Sequence, residues 1–130
     1  MVVVLASFIS LIILFTKMEM KKYVVFYHAS KAAMEQMGKK SPEDKSKGME
    51  KWKAWAKNCG ESLFDMGTPL ANGQKISSSG KSPSDMNVMG YSILQAEDME
   101  KAEAVLKGNP FLEDEGCSLV LYEQIPMPSQ

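Results

Sequence analysis

The stretch "GYSILQAEDMEKAEAVLKGNPFL", Gly90 to Leu112, constrains the fold more tightly than any other part of the chain. The residues from Val88 to Gln95 carry the apolar, β-branched and aromatic side chains of a strand. Asp98 stands where a helix N-cap belongs, and Met99, Ala102, Val105 and Leu106 recur at the spacing of one helical face. Gly108 supplies a left-handed C-terminal cap, and Pro110 forbids further helix. A strand passing at once into a short amphipathic helix implies a two-layer α+β domain.

Other segments extend the pattern on both sides. "KYVVFYH", Lys22 to His28, is β-branched and aromatic throughout and reads as a central strand buried on both faces. The residues up to Lys40 read as loop with a helical turn around Ala32 to Met37. "SPEDKSKGMEKWKAWAKNCG" reads as a helix with Ser41 as N-cap, Pro42 at the first helical position and Gly60 closing it. Glu43 and Asp44 complement the positive end of its dipole. Met49, Trp52, Trp55, Ala56 and Cys59 form one apolar stripe, expected to face the core.

"ESLFDM" is a short strand ending at Gly67, and the turn-rich stretch after it has room for a hairpin arm at Lys75 to Ser77. "CSLVLYEQI", Cys117 to Ile125, is the last strand, stopped by Pro126 and Pro128. The order β-α-β-β-α-β predicts a ferredoxin-like α+β fold, a four-stranded antiparallel sheet with two helices on one face. The first and third strands should be central.

Composition bounds the function. A chain of 130 residues suits one domain and can bury a core without metals or disulfides. Its 15 basic and 16 acidic residues, interleaved along the helical stretches, leave no electrostatic footprint for nucleic acid. Cys59 and Cys117 lack C-x-x-C spacing, so two reduced core thiols in a cytosolic protein are expected. The eleven methionines are expected as soft core filler, with a Met-lined binding surface as the sharper alternative. Gly80-Lys81-Ser82 superficially suggests a phosphate loop, but the G-x-x-x-x-G-K-[ST] spacing is absent.

Residues 1–19 are set apart from the domain at 20–130. "VVVLASFISLIILF" is shorter than the about 20 apolar residues of a spanning helix, and the features of a signal peptide are missing. Three readings stay open: an upstream start with Met18 or Met20 as the natural first residue, a weak membrane anchor, or an element packing on a partner. Lys17, Lys21 and Lys22 would keep the domain cytoplasmic even beside an anchor. No membrane contact is expected unless this segment is retained.

"KKYVVFYH", "WKAWAKNCGESLFDMGTPL", "GYSILQAEDMEKAEAVLKGNPFL" and "GCSLVLYEQIPM" together resemble the YCII-related family, including its DGPF-type branch, over nearly all of residues 20 to 128. The resemblance implies a ferredoxin-like fold whose open sheet face pairs with a second subunit, giving a homodimer of the dimeric α/β-barrel kind. Some relatives carry out small-molecule lyase or dehydrohalogenase-type chemistry through a His-Asp pair, and DGPF-type relatives are associated with sigma-type transcription factors. Here Glu50, Lys51 and Trp52 stand where the family places a histidine on its first helix, and "SGKSPSDMN" replaces the Asp-Gly-Pro-Phe segment.

The catalytic candidates are His28, the only histidine, at the end of the first strand, and Asp65, which interrupts an apolar strand. Parallel first and second strands with the third between them should set both at the same sheet end, roughly 10 Å apart. That separation would flank a small ligand, with water passing a proton. The alternative for Asp65 is a turn cap at Gly67. Tyr27, Trp52, Gly90 and Tyr91 are the ligand-binding candidates, Gly90 because a missing side chain lets a ligand approach the backbone. One histidine and scattered acids give no metal cluster, and no cofactor is expected. Two functions follow: a lyase or isomerase-type enzyme with its pocket at the sheet end or dimer interface, or a non-catalytic small-ligand-binding or regulatory module.

Overall fold

The computed structural model describes residues 20–128; the expectations for residues 1–19 lie outside them. Strand β1 (Lys21–Ala29) leads into helices α1 (Lys31–Gly38) and α2 (Pro42–Cys59), then β2 (Leu63–Pro69). A hairpin of β3 (Gln74–Ser77) and β4 (Gly80–Pro83) precedes β5 (Val88–Ala96), α3 (Met99–Val105) and β6 (Cys117–Glu123). The main sheet has the order β2-β5-β1-β6, and every neighbouring pair is antiparallel. This is the α+β arrangement of a ferredoxin-like fold, with β1 and β5 central; β3 and β4 form a sheet of their own.

Local chemistry sets the helix ends. The Ser41 hydroxyl accepts from the Asp44 amide at 3.1 Å with Pro42 next in the chain, and Asp98 accepts from the Lys101 amide at 2.8 Å. Ser30 caps α1 in the same way, accepting from Ala33. That cap makes a full helix where the sequence reading expected a loop with one turn. Gly60 closes α2 at φ 55, and Gly108 lies beyond α3 at φ 80.

One sheet face carries the core. Tyr23, Val25 and Tyr27 of β1 and Leu94 and Ala96 of β5 are buried with Trp55 of α2, Ala102 of α3 and Leu106 just beyond α3. The alternate residues Val24, Phe26 and His28 are only half-buried, so β1 is not enclosed on both faces as its composition implied. A strand flanked by two others in an antiparallel sheet still has one face open when both helices cover the other.

Methionine also departs from expectation. Met49, Met66, Met86 and Met127 are exposed, and among the described residues no methionine belongs to the buried core and only Met89 packs against it. Aromatic rings, alanines and leucine fill the interior instead. Met49 and Met99 mark the solvent edge of their helical stripes. The last strand ends at Glu123, and Ile125 beyond it is exposed.

Candidate functional site

The six candidate residues divide between the two faces of the sheet. Tyr27, Trp52 and Gly90 belong to the helix-covered side. The Tyr27 ring lies edge-on to Trp52 at 5.4 Å and to Phe111 at 5.2 Å, and Trp52 meets Trp55 at 5.7 Å. Gly90 sits opposite Tyr27. A Cβ there would lie 3.1 Å from the Thr68 carbonyl oxygen and 3.4 Å from Pro69 Cα. The close backbone approach that a glycine permits is thus taken by β2, where the sequence reading reserved it for a ligand.

A hydrogen-bond chain runs through this side. The Ser92 hydroxyl donates to the Met66 carbonyl at 2.7 Å, because a carbonyl can only accept. Ser92 Oγ must then accept from the Tyr27 hydroxyl at 2.8 Å. The Asn109 amide lies beside the Tyr27 oxygen, while its Oδ1 accepts from the Phe111 amide at 2.9 Å. Asn109 is 1% exposed, and its Nδ2 has no hydrogen-bond partner. Burial holds the Tyr27 hydroxyl above its usual value of 10.0, and its bond to Ser92 and the neighbouring Asn109 amide oppose that rise. Ser92, Asn109 and Phe111 escaped the search for site residues. A serine at an inward strand position and an asparagine before a proline were the available signals.

His28, Tyr91 and Asp65 belong to the other face. His28 Nδ1 donates to the Met86 carbonyl at 2.9 Å, which leaves Nε2 of the neutral ring as an acceptor. Tyr91 pairs with Phe26 of β1 and Thr68 of β2. Asp65 is exposed and accepts from the Gly67 amide at 2.9 Å, the turn-capping role weighed as its alternative.

The expected His28–Asp65 juxtaposition is corrected by the strand register. Asp65 is level with Ile93 and through it with Val24, four residues back along β1 from His28. With β5 intervening, the two Cα atoms lie about 16 Å apart. The reading failed because β2 begins at Leu63 opposite Leu94 and continues past Gly67 to Pro69, so Asp65 falls near its amino end. Two register shifts bend β2 there, and Gly67 at φ 75 is why they fit: a Cβ would stand 1.8 Å from the Tyr91 carbonyl oxygen.

Among the described residues no group of three or more histidine, cysteine, aspartate or glutamate side chains is placed to hold a metal. An open groove of about 710 Å³ between α3 and β6 is lined by Met99, Leu106, Leu112 and Leu119. Another, of about 530 Å³, lies between α2 and the turn after α3, at Trp55, Cys59, Val105 and Pro110. Neither includes any of the six candidates. Both cysteines are free thiols, raised above 9.0 chiefly by burial, the opposite of what an activated nucleophile requires. No helix among the described residues is long and apolar enough to cross a membrane. No protein-family model matches the chain, and neither does any curated protein.

Proposed function

We propose that the chain is one subunit of a homodimeric α/β-barrel module that binds a small molecule between the apposed open faces of two sheets. The observation that carries this reading is the uncovered face itself. Val24 and Phe26 of β1, Tyr91 and Ile93 of β5 and Val120 and Tyr122 of β6 lie on it, and among the described residues no helix stands above them. Phe26 and Tyr122 meet edge-on at 6.1 Å and make it partly aromatic. Soluble monomers rarely leave a contiguous apolar patch of this kind to water. The likeness of the quoted segments to the YCII-related family supports the same pairing. Tyr91 and the free Nε2 of His28 supply the few polar groups that orient a ligand in such a pocket.

Binding is preferred over two-residue acid–base catalysis because about 16 Å is too long for a proton to pass between His28 and Asp65, directly or through one water. One observation favours a second reading: a backbone carbonyl fixes the His28 tautomer. A lyase or isomerase using His28 alone as base would need that arrangement. The free cysteines and the lysines at 17, 21 and 22 support a cytoplasmic location.

Light scattering of the full chain should give the mass of a dimer, and a stable monomer at micromolar concentration refutes the reading. In a thermal-shift screen against small metabolites, His28→Asn should abolish the response. Asparagine keeps a donor near Nδ1 for the Met86 carbonyl but has nothing at the Nε2 position. Loss of turnover with binding intact would select the single-base enzyme instead.

A further inference from the structure

The two edges of the main sheet are not alike. The β2 edge is interrupted by two register shifts, by Gly67 at φ 75 and by Pro69. Such irregularity keeps a sheet edge from pairing with further chain. The β6 edge has none of it. Its seven residues hold one register with β1 from Cys117 to Glu123 and include neither proline nor lysine.

The Gln124 amide donates to the Lys22 carbonyl at 2.8 Å, and that bond fixes which way the rest of β6 faces. Antiparallel pairs alternate, so Ser118, Val120 and Tyr122 bond to β1 as Gln124 does, whereas Leu119 and Leu121 turn their N–H and C=O groups outward. Among the described residues no strand lies on that outer side. The side chains of Leu119 and Leu121 are only half-buried, and with Met99 and Leu106 they line the open groove of about 710 Å³. Unpaired backbone beside an apolar groove is the geometry that receives one more strand, its main chain on the edge and alternate side chains in the groove.

We propose that the occupant is the chain's own amino-terminal segment, residues 8–15, added as a fifth strand parallel to β6. β1 begins at Lys21, and Tyr23 lies opposite Glu123, so the chain enters the sheet beside the carboxyl end of β6. A strand on the outer side of β6 stands two strand spacings, about 10 Å, from β1. Thr16 to Glu19 spans about 13 Å when extended, enough to pass over the end of β6. A segment running toward β1 on that side has the direction of β6. Its residues fit the groove as well. In "FISLIILF" the alternate residues Ile9, Leu11, Ile13 and Phe15 are all apolar, and Ser10 falls on the other side. A helix laid over the open sheet face would leave the β6 backbone unpaired, whereas a strand on β6 satisfies it. The open face is untouched, so the pairing stands apart from the dimer.

Amide hydrogen exchange of the full chain, followed residue by residue by NMR, tests the pairing. The Leu119 and Leu121 amides should exchange about 100-fold or more slowly than in an unfolded chain, at rates independent of protein concentration. Leu11→Pro removes a donor and interrupts the added strand, and should speed both amides about tenfold or more. The Val25 and Leu94 amides in the central strands should stay protected, which shows that the variant is folded. Fast exchange of Leu119 and Leu121 in the wild-type chain overturns the pairing. Protection that grows with protein concentration gives the edge to a second copy, and protection that survives Leu11→Pro gives it to another segment; either result overturns the pairing too.

Discussion

Neighbouring residues of β1 occupy two different environments. Tyr23, Val25 and Tyr27 are at most 5% exposed beneath the helices, whereas Val24, Phe26 and His28, one peptide unit away in each case, are half-buried on the far side. Both sets are apolar or aromatic apart from His28. Composition alone therefore does not distinguish the face that forms the core from the face that no helix of the described residues covers. Polar content does. The covered side encloses a directed hydrogen-bond chain from Tyr27 through Ser92 to the Met66 carbonyl, with Asn109 alongside. The open side carries its polar groups toward the two ends of the sheet, His28 and Ser118 at one and Asp65, Lys22 and Gln95 at the other. A buried polar group must find a partner or destabilise the fold, so the covered face is specified atom by atom. The open face needs only shape and apolarity.

The largest expected effect sharpens this contrast between adjacent residues of β5. Leu94→Ala, at a position with no exposure, should destabilise the fold by about 2–5 kcal/mol. Ile93→Ala should cost about 1 kcal/mol or less in the isolated subunit, because its side chain is already half in water. Urea unfolding of the dilute, monomeric chain measures both, and equal losses would mean that the two faces are not energetically distinct.

Next in size is Ser92→Ala. It leaves the Met66 carbonyl and the Tyr27 hydroxyl without their partner, and should cost about 1–3 kcal/mol. A neutral result by the same unfolding measurement would show that the chain of hydroxyls does not specify the covered face.

The smallest effect is a pH dependence. Burial raises the folded-state value of Tyr27 above 10.0, so folding favours its neutral form. That contribution is complete below pH 10 and is lost as pH rises through the raised folded value. Cys59 and Cys117, raised above 9.0, add a decline that begins near pH 9. Tyr27→Phe should lessen the slope of the stability curve above pH 10, where Tyr23, raised by the same burial, supplies the rest, and leave the thiol portion intact. An unchanged alkaline slope would place the Tyr27 hydroxyl in contact with water.

The motifs that were most legible in the chain turn out to be joined in space. Gly-Tyr-Ser-Ile contributes Ser92 and Gly-Asn-Pro-Phe contributes Asn109 and Phe111, and Tyr27 touches all three. Their turn and strand signals could be read locally; their meeting could not, since Tyr27 and Ser92 are separated by 65 residues. The candidate site was less legible for a related reason. That His28 shares the face of Val24 and Phe26 follows from the sequence, because alternation along one strand is a local property. Asp65 was misplaced because its height in the sheet depends on how β2 pairs with β5.

The sequence by itself determined the element order, the caps at Ser41 and Asp98, the stops at Gly60 and Gly108, and which strands lie at the centre. Each follows from backbone dihedral preferences, local hydrogen bonds or the handedness of crossovers, which act over a few residues or over topology as a whole. Tertiary structure alone decided that methionine would line the surface and that Gly90 would admit β2. It also decided that His28 and Asp65 would stand apart. These outcomes depend on strand register and bulges, where shifting by one residue exchanges the two faces and moves every partner by more than 3 Å. In β2 that register is held by Gly67, whose left-handed backbone admits the Tyr91 carbonyl where any side chain would collide with it.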